Sequence, residues 1–572
     1  MSTVLGLGFT DHETSAALMI DGKLRAAIAR ERITRIKRDG KMWGSARLDL
    51  TPAIQYCLDE VGLKLADVDL VVWNHIDHLP AAELHRLLAE EGGLDLTTRP
   101  NLCLPHHFAH ACCALHLSPF DDAAVLIVDG SGGPLNCLLE HCQGPEPELV
   151  ANGSAIVQNI SDEQAPSARE HETFYEFVGG RWKVLRKVVG IWGGIGAEYG
   201  SVSSFLFGDC LDAGKTMGLA PYGRPYAEPM FMRKVGPEEM PAYKSMHPPE
   251  RDEMEARIDE WRRGREKVSF EEPLLADFAA SMQREAEESL LEHARWLRRH
   301  SSSRNLCLAG GVALNCVANS VLAEQAGFEQ VFVPPAPGDD GIAIGCAMYG
   351  AAITGGVERV TNHAFLGRPY RHEPADLEAL GLTRVFEDDD VSETVARELA
   401  GGAVVAWYQG GAELGPRALG HRSFLADPRR PDMKDHLNYR VKNREPFRPF
   451  APVVLAEAAA DYFVEQFPSY FMSFVATVRE DKRDLIPSVT HVDATARYQV
   501  LREQDNPHLY KLISAFARLT GLPMLLNTSF NRAGEPLVET PLDAGRCAVS
   551  SSADYLVVDG YIYRPSSKSQ TA

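Results

Sequence analysis

Two histidines four residues apart, His106 and His110 in the run His106-His107-Phe108-Ala109-His110, share one side of a helix if this stretch is helical. Imidazole is the commonest side-chain ligand of transition metals, so such a pair can hold one ion. No Glu follows the first histidine as a zinc protease requires, which counts against that class. Two aspartates complete the set: Asp129 closes the apolar run Ala123–Val128, and Asp339 follows the run Val331–Val333 beside glycine. Ligands gather at the carboxyl ends of strands in open α/β sheets. Two imidazoles and two carboxylates form a mixed N/O donor set that suits iron, manganese or zinc better than a thiolate-preferring metal. Each part also has an ordinary reading: paired histidines pack on helices without a metal, and Asp beside Gly forms turns.

A second concentration of chemistry lies between Arg417 and Arg448. Nine basic side chains stand there against four acidic ones, a local net charge of +5 in a chain whose formal charge is −21. Gly410-Gly411-Ala412-Glu413-Leu414-Gly415-Pro416-Arg417 reads as a loop delivering Arg417, followed by Arg422, Arg440, Lys442, Arg444 and Arg448. Arginine grips phosphate through two parallel N–H bonds and lysine adds a point charge, so the cluster fits phosphate-bearing ligands; a solvated basic surface is the alternative. Arg497 and the turn Asn527-Thr528-Ser529-Phe530-Asn531 can add polar contacts. Glycine turns at Gly130-Ser131-Gly132-Gly133 and Gly310-Gly311 let backbone N–H groups approach phosphate oxygens, although no Walker or dinucleotide fingerprint is present. His12 sits before a strand, where it can act as a general base or serve only as a loop residue; Lys37 and Lys215 lie near glycine turns, facing a phosphate or solvent.

The elements that must position these residues read as α/β. Val4–Phe9, then Ser15–Ile20, the turn Asp21-Gly22 and Leu24–Ala29 predict a strand followed by a hairpin. A helix is expected over 49–62 and a strand over Val68–Trp73. Ala123–Val128 opens a similar unit, with further strands expected at Leu135–His141 and Leu149–Asn152. Two such units suggest an internally duplicated α/β domain, the construction of actin-like and sugar-kinase-like folds. Phe278, Met282, Ala286, Leu290 and Ala294 recur at helical spacing over Leu274–Arg298. Short strands follow at Leu306–Leu308 and Val331–Val333, with helices over Val312–Ala323 and Ile342–Ala352. A composition break at 354–376 sets a boundary, placed between 365 and 366. Beyond it a helix at 391–400 and a strand at Val404–Tyr408 open a second domain. The segments 159–175 and 222–272 read as loop-rich, and the tail from Pro565 as disordered.

At 572 residues the chain exceeds what one core supports. Its acidity opposes a nucleic-acid groove, which needs concentrated positive charge. The first residues lack a signal-peptide pattern and no apolar run is long enough to span a membrane, so a cytoplasmic location is expected. Eleven cysteines, an odd number scattered through apolar segments, read as reduced core thiols.

Taken in order, the motifs resemble the carbamoyltransferase family of nodulation protein U, the cephalosporin carbamoyltransferase and the tobramycin carbamoyltransferase. The strings that carry the resemblance begin with His12-Glu13-Thr14-Ser15-Ala16-Ala17, Glu31-Arg32-Ile33-Thr34-Arg35-Ile36-Lys37 and His106–His110. They continue with Ile127-Val128-Asp129-Gly130, Gly214-Lys215-Thr216-Met217-Gly218 and Ala309-Gly310-Gly311-Val312-Ala313. The last are Gly415-Pro416-Arg417-Ala418-Leu419-Gly420, Arg448-Pro449-Phe450-Ala451-Pro452 and Asn527-Thr528-Ser529-Phe530-Asn531. The resemblance implies an actin-like first domain over 1–365 and a YrdC-like second domain over 366–572. It implies that Arg417, Lys442, Arg448, Arg497 and Ser529 bind carbamoyl phosphate and ATP to form a carbamoyl-adenylate. The first domain would then transfer the carbamoyl group to a small-molecule hydroxyl, with His12 as base. Lys37, Lys215, Gly130, Gly310 and Gly311 would hold the nucleotide there, and His106, His110, Asp129 and Asp339 would hold a metal, iron in the best-matching relatives. Mg2+ is a further candidate ion beside ATP. Two positions depart from the family: Glu13 stands where His-Asp is usual, and Gly338 replaces a serine of some relatives. The region 159–200 matches least and is expected to contribute to acceptor choice.

Two other readings follow from the same residues: a fused tRNA threonylcarbamoyl transferase, which the acidic charge opposes, and a non-catalytic ATP-binding regulator, for which the arginine cluster would be surplus.

Overall fold

The computed structural model describes residues 2–10, 12–40, 49–75, 81–90, 93–133, 154–157, 169–190, 193–235, 242–263, 272–359, 364–388, 390–465 and 467–566. The chain divides into two compact units: Met1–Ala27 with Gly40–Thr361, and Ile28–Asp39 with Asn362–Ala572. The units divide between Thr361 and Asn362, a few residues before the boundary read from composition, and the segment Ile28–Asp39 changes allegiance. The reason is hydrogen bonding: Arg32 donates to the Gly415 carbonyl at 2.7 Å and Arg35 to the Pro536 carbonyl at 2.9 Å.

In the first unit, β1 (Thr3–Phe9), β2 (Thr14–Ile20), β3 (Lys23–Ala29), β4 (Leu70–His75) and β5 (Asn101–Cys103) form a sheet in the order β3-β2-β1-β4-β5. β1 runs antiparallel to β2 and parallel to β4, which is parallel to β5. Asp21 and Gly22 have φ of 48° and 77°, the two positive values a type I′ hairpin turn needs. The second sheet holds β6 (Ala123–Val128), β7 (Ser154–Val157), β8 (Arg169–Val178) and β9 (Arg181–Gly190). After the ribbon β10 (Met232–Val235) and β11 (Ala242–Ser245), it is completed by β12 (Asn305–Ala309) and β13 (Gln330–Phe332), in the order β13-β12-β6-β8-β9-β7. β6 is antiparallel to β8 and parallel to β12, and β12 is parallel to β13. The run β9-β8-β6-β12-β13 therefore repeats the arrangement of β3-β2-β1-β4-β5, down to a hairpin turn with two positive φ values at Gly179 and Gly180. This is the internal duplication expected from the sequence.

Every residue of β1 and β6 is buried, as strands covered on both faces require. The helix Ile342–Thr354 lies on β1 with backbone in contact: a Cβ on Gly6 would sit 2.0 Å from the Ala343 carbonyl oxygen. On its other side, a Cβ on Gly345 would sit 1.9 Å from the Ala109 carbonyl oxygen. Two glycines thus seat the helix His106–Leu117 against the central strands and fix where its histidines emerge. The helix Pro273–His300 buries Phe278, Met282, Ala286, Leu290 and Ala294, the stripe read from their spacing. The helix expected over Val312–Ala323 enters through a short turn, Gly311–Leu314, and runs Cys316–Gln325 with the Asn315 side chain capping Ala318 N–H.

The second unit is built on an eight-stranded mixed sheet. Its strands are β14 (Leu382–Glu387), β15 (Val405–Tyr408), β16 (Arg422–Ala426), β17 (Ala451–Leu455), β20 (Gln499–Leu501), β21 (Met524–Ser529), β22 (Tyr555–Val558) and β23 (Tyr561–Pro565), while β18 (Val475–Thr477) and β19 (Thr495–Arg497) form a ribbon. Their order is β14-β23-β22-β15-β16-β21-β17-β20. The amphipathic helices Ser392–Ala400 and Pro507–Thr520 pack beside it around Trp407, Phe424 and Phe516.

Part of the loop-rich expectation fails. Residues 169–178 are strand β8, and 222–272 contains the β10–β11 ribbon and the helix Pro249–Arg262. The strands expected at Leu135–His141 and Leu149–Asn152, and the tail beyond residue 566, lie outside the described residues. The described cysteines are free thiols. Among the described residues no helix is long and apolar enough to cross a membrane.

Candidate functional site

His106, His110, Asp129 and Asp339 converge in the first unit, each offering one donor atom within 4.8 Å of the others. His106 Nε2 lies 3.1 Å from Asp129 Oδ2, 3.4 Å from Asp339 Oδ1 and 3.2 Å from His110 Nε2. His110 Nε2 lies 3.4 Å from Asp339 Oδ1 and 3.6 Å from Asp129 Oδ2. An ion bound through bonds of about 2.1 Å spreads tetrahedral donors about 3.4 Å apart, so these separations fit one shared metal.

The surrounding chain aims these atoms. Asn74, at the end of β4 and fully buried, donates through Nδ2 to the Leu104 carbonyl at 2.8 Å, which leaves its Oδ1 toward His106 Nδ1 at 3.0 Å. The proton of neutral His106 is thereby held on Nδ1, and the Nε2 lone pair points to the cluster. Asp129 Oδ1 accepts from Gly130 N–H and Gly311 N–H, both at 2.9 Å, leaving Oδ2 for the cluster. Burial opposes charge on both imidazoles, but Asp339 and Asp129 outweigh it: His106 is raised to about 10, and His110 is raised as well. Burial would push the two carboxylates up, yet the histidines hold both below the usual range. The four groups together demand positive charge at their centre, which protons or a metal ion can supply.

His12 stands at the rim, Nε2 3.6 Å from Asp339 Oδ2, with about a third of its side chain exposed. The Thr10–Glu13 turn, closed by Thr10 N–H donating to the Glu13 carbonyl at 2.8 Å, presents it. Lys215 pairs with Asp212 at 2.8 Å on the short helix Ala213–Leu219. Three glycines read as phosphate-facing use their N–H groups within the protein: Gly130 and Gly311 on Asp129, and Gly310 on the Pro337 carbonyl at 2.8 Å. Gly130 and Gly311 thus orient Asp129, one of the four converging donors.

The second unit separates the arginine-rich run into distinct jobs. Arg422 is fully buried, donating to the carbonyls of Gln409 at 2.7 Å and Gly410 at 2.9 Å over the Tyr408 ring, so it is a structural residue rather than a phosphate contact. Arg429 and Arg430 pair with Asp427 and Asp432. Arg440 is exposed. Lys442, Arg444, Arg448 and Arg497 remain together. Lys442, at the end of a widened helical turn, donates from Nζ to Ser529 Oγ at 3.0 Å, Asn531 Oδ1 at 2.6 Å and the carbonyls of Ser529 and Asn531 at 2.6 and 2.8 Å. All these acceptors are neutral. Burial, followed by the charges of Arg444, Arg448 and Lys37, holds Lys442 well below its ordinary value. Arg444 is lowered by burial and by Arg448 and Arg497. Glu445 stands 3.6 Å from Arg448, and the four cations around it leave an excess of positive charge that suits an anion. Lys37, assigned by resemblance to the transfer site, lies in the second unit among these charges. Arg417 is half-buried on the loop that Glu413 organises, its Oε1 accepting Leu419 N–H at 2.6 Å and His421 N–H at 3.2 Å.

Sequence reading missed Asn74, Glu413 and the buried polar run Glu170-His171-Glu172-Thr173. His107 Nδ1 bonds Thr173 Oγ1 at 2.8 Å, and Lys187 reaches Glu170 at 2.5 Å. A polar residue closing an apolar strand was the available signal for Asn74.

Residues 3–91 and 81–348 match the family Carbamoyltransferase N-terminus, and residues 396–564 match Carbamoyltransferase C-terminus. An uncharacterized protein, sll1178 of Synechocystis sp., is 32% identical over 100% of this chain and 98% of its own length. Nodulation protein NolNO of Sinorhizobium fredii is 32% identical over 97% of this chain and 79% of its own. The 3'-hydroxymethylcephem-O-carbamoyltransferase of Amycolatopsis lactamdurans is 33% identical over 68% of this chain and 73% of its own. Among solved structures, full-length HypF in its phosphate- and nucleotide-bound form aligns with a TM-score of 0.34 at 12% identity, over 62% of this chain and 56% of that one. With both family regions matched in order across most of its length, the chain belongs to the carbamoyltransferase family.

Proposed function

We propose that the protein is an O-carbamoyltransferase that activates carbamoyl phosphate with ATP and delivers the carbamoyl group to a hydroxyl of a small-molecule natural product. The observation that carries this reading is the buried four-donor cluster with half-open His12 against it, in a carbamoyltransferase whose other unit gathers Lys442, Arg444, Arg448 and Arg497 with Glu445 beside Arg448.

In the second unit the cations would hold the phosphates. Carbamoyl phosphate, ATP and one water give carbamoyl-adenylate, phosphate and pyrophosphate. Arg417 and Arg448 would supply paired N–H donors to phosphate oxygens and Lys442 a point charge. In the first unit the acceptor oxygen attacks the carbamoyl carbon, the bond to AMP breaks, and His12 takes the hydroxyl proton. The metal, for which iron is our choice on the mixed N/O donors, would supply Lewis acidity and a template for the anionic leaving group. His106, His110, Asp129 and Asp339 would hold it. The β8 run Glu170–Thr173, beside Asp129 through the Val128–Glu172 register, is our candidate for part of the acceptor site.

The test is incubation of the purified protein with labelled carbamoyl phosphate, ATP, Fe2+ and a panel of hydroxylated metabolites. Label should enter an acceptor with stoichiometric AMP, and His12→Ala and Arg417→Ala should abolish it. Label transfer without AMP would remove the adenylate route, and undiminished transfer by His12→Ala would remove its role as base.

A further inference from the structure

The segment Ile28–Asp39 belongs to the second unit although both flanks belong to the first. It is tied to itself. Asp39, buried, accepts from Thr34 Oγ1 at 2.6 Å and faces Arg30 Nε at 3.3 Å. Glu31 accepts from Arg38 N–H at 2.9 Å and faces Arg32 Nε at 3.4 Å. Arg35 and Arg38 adopt φ of 62° and 59°, left-handed backbone that persists in non-glycine residues only where the surroundings enforce it.

Two arginines fasten this loop to the two stretches that carry the anion contacts. Arg32 Nη2 donates at 2.7 Å to the carbonyl of Gly415, two residues before Arg417. Arg35 donates from Nη1 to the Leu537 carbonyl at 2.5 Å and from Nη2 to the Pro536 carbonyl at 2.9 Å. That stretch continues the turn in which Asn531 Nδ2 donates to the Glu535 carbonyl at 2.6 Å, the same Asn531 that accepts from Lys442. Arg32 is only 3% exposed, and its Nη1 is buried without a hydrogen-bond partner. A buried guanidinium normally spends all its donors on acceptors. A donor left over beside the Arg417 loop is what a phosphate oxygen would take up, as it would the positive charge of exposed Lys37, which already bears on Lys442.

We propose that residues 30–39 form a wall of the second unit's anion site, with Arg32 a phosphate-binding residue, Lys37 an added charge and Arg35 a positioning residue for the turn after Asn531. The inference rests on the reading of the second unit as the activation site. The phosphate can belong to carbamoyl phosphate or to ATP, and the two are told apart by titrating each separately. Calorimetry on the full-length protein should use carbamoyl phosphate in one arm and a non-hydrolysable ATP analogue in the other, with wild type, Arg32→Met, Arg32→Lys and Lys37→Met. Loss of one charged hydrogen bond corresponds to about 10- to 100-fold weaker binding. We expect that loss in Arg32→Met for one ligand, partial recovery in Arg32→Lys, and a smaller, salt-sensitive loss in Lys37→Met. Lys37 is exposed, and circular dichroism of Lys37→Met checks that its truncation leaves the fold in place. Wild-type affinity for both ligands in both methionine variants overturns the inference alone. Wild-type protein that binds neither ligand overturns the reading of the second unit as well.

Discussion

Removing the amide of Asn74 should weaken metal binding without touching a ligand atom. Asn74 Oδ1 lies 3.0 Å from His106 Nδ1 and its Nδ2 2.8 Å from the Leu104 carbonyl, in a fully buried setting. In Asn74→Ala the imidazole loses the acceptor that keeps its proton on Nδ1, and the Leu104 carbonyl loses its side-chain donor. Each buried polar group left unsatisfied costs about 1–3 kcal/mol, so with two such groups the metal-free protein should lose about 2–6 kcal/mol. Metal affinity should fall by a separate factor of about 10–100, because ligands released from their orienting partners sample the wrong tautomer and ring angle. Asn74→Asp restores the acceptor with a negative charge and should bind metal more tightly than the alanine variant. The assay is competition with a chromophoric chelator, on protein shown by near-UV circular dichroism to be folded. Folded Asn74→Ala with wild-type affinity would refute the argument that Asn74 sets the donor face of His106.

Three further outcomes follow. Burial raises Glu172 from 4.5 to about 7 despite Ile195 N–H and Arg186, so the folded state holds its proton more tightly than the unfolded state. This contribution is complete below about pH 4.5 and lost as pH rises to about 7, about 3 kcal/mol over that window; urea melts from pH 4 to 8 should show the fall, and Glu172→Gln should flatten it. Arg422→Met should cost about 3–5 kcal/mol by denaturant unfolding, since four backbone carbonyls lose a charged donor, whereas Arg448→Met, at a half-exposed position, should cost less than about 1 kcal/mol. Gly310→Ala places a Cβ 2.2 Å from the Val128 carbonyl at a φ of 90°, so it should lower the melting temperature and metal uptake together; unaltered uptake would show that the backbone before Asp129 is not part of the site's support.

What could be read in the chain was whatever depends on near neighbours. The Asp21-Gly22 turn needs only its own two φ values, and the apolar run ending at Asp129 needs only strand geometry. The spacing of His106 and His110 needs only the pitch of a helix, and the helix Pro273–His300 only its stripe. What could not be read depends on partners far along the chain. Asn74 precedes His106 by 32 residues, and no local pattern joins them. The charge count over Arg417–Arg448 registered density but not neutralisation, so it placed Arg422, which backbone carbonyls enclose, beside Lys442, which oxygens of Ser529 and Asn531 hold. Lys37 was placed by sequence order with the strands around it, whereas Arg32 and Arg35 carry its segment into the other unit.

The β8 run shows why these failures gather at functional places. Glu170-His171-Glu172-Thr173 reads as a polar loop, yet all four are buried in a strand, and the pairing with β9 slips at His171. A bulge re-aims the side chains on either side of it, which lets Glu170 and Thr173 meet His107 while Glu172 caps the helix Ile195–Phe207. A fold selected only for stability would put apolar residues there, because burying these groups is costly. Where an interior keeps charge that local rules would place outside, something other than packing has selected it. In this chain that condition is met at several places, beside Asp129 and around Lys442 among them, and the proposed carbamoyl transfer in two steps is the reading that uses these two.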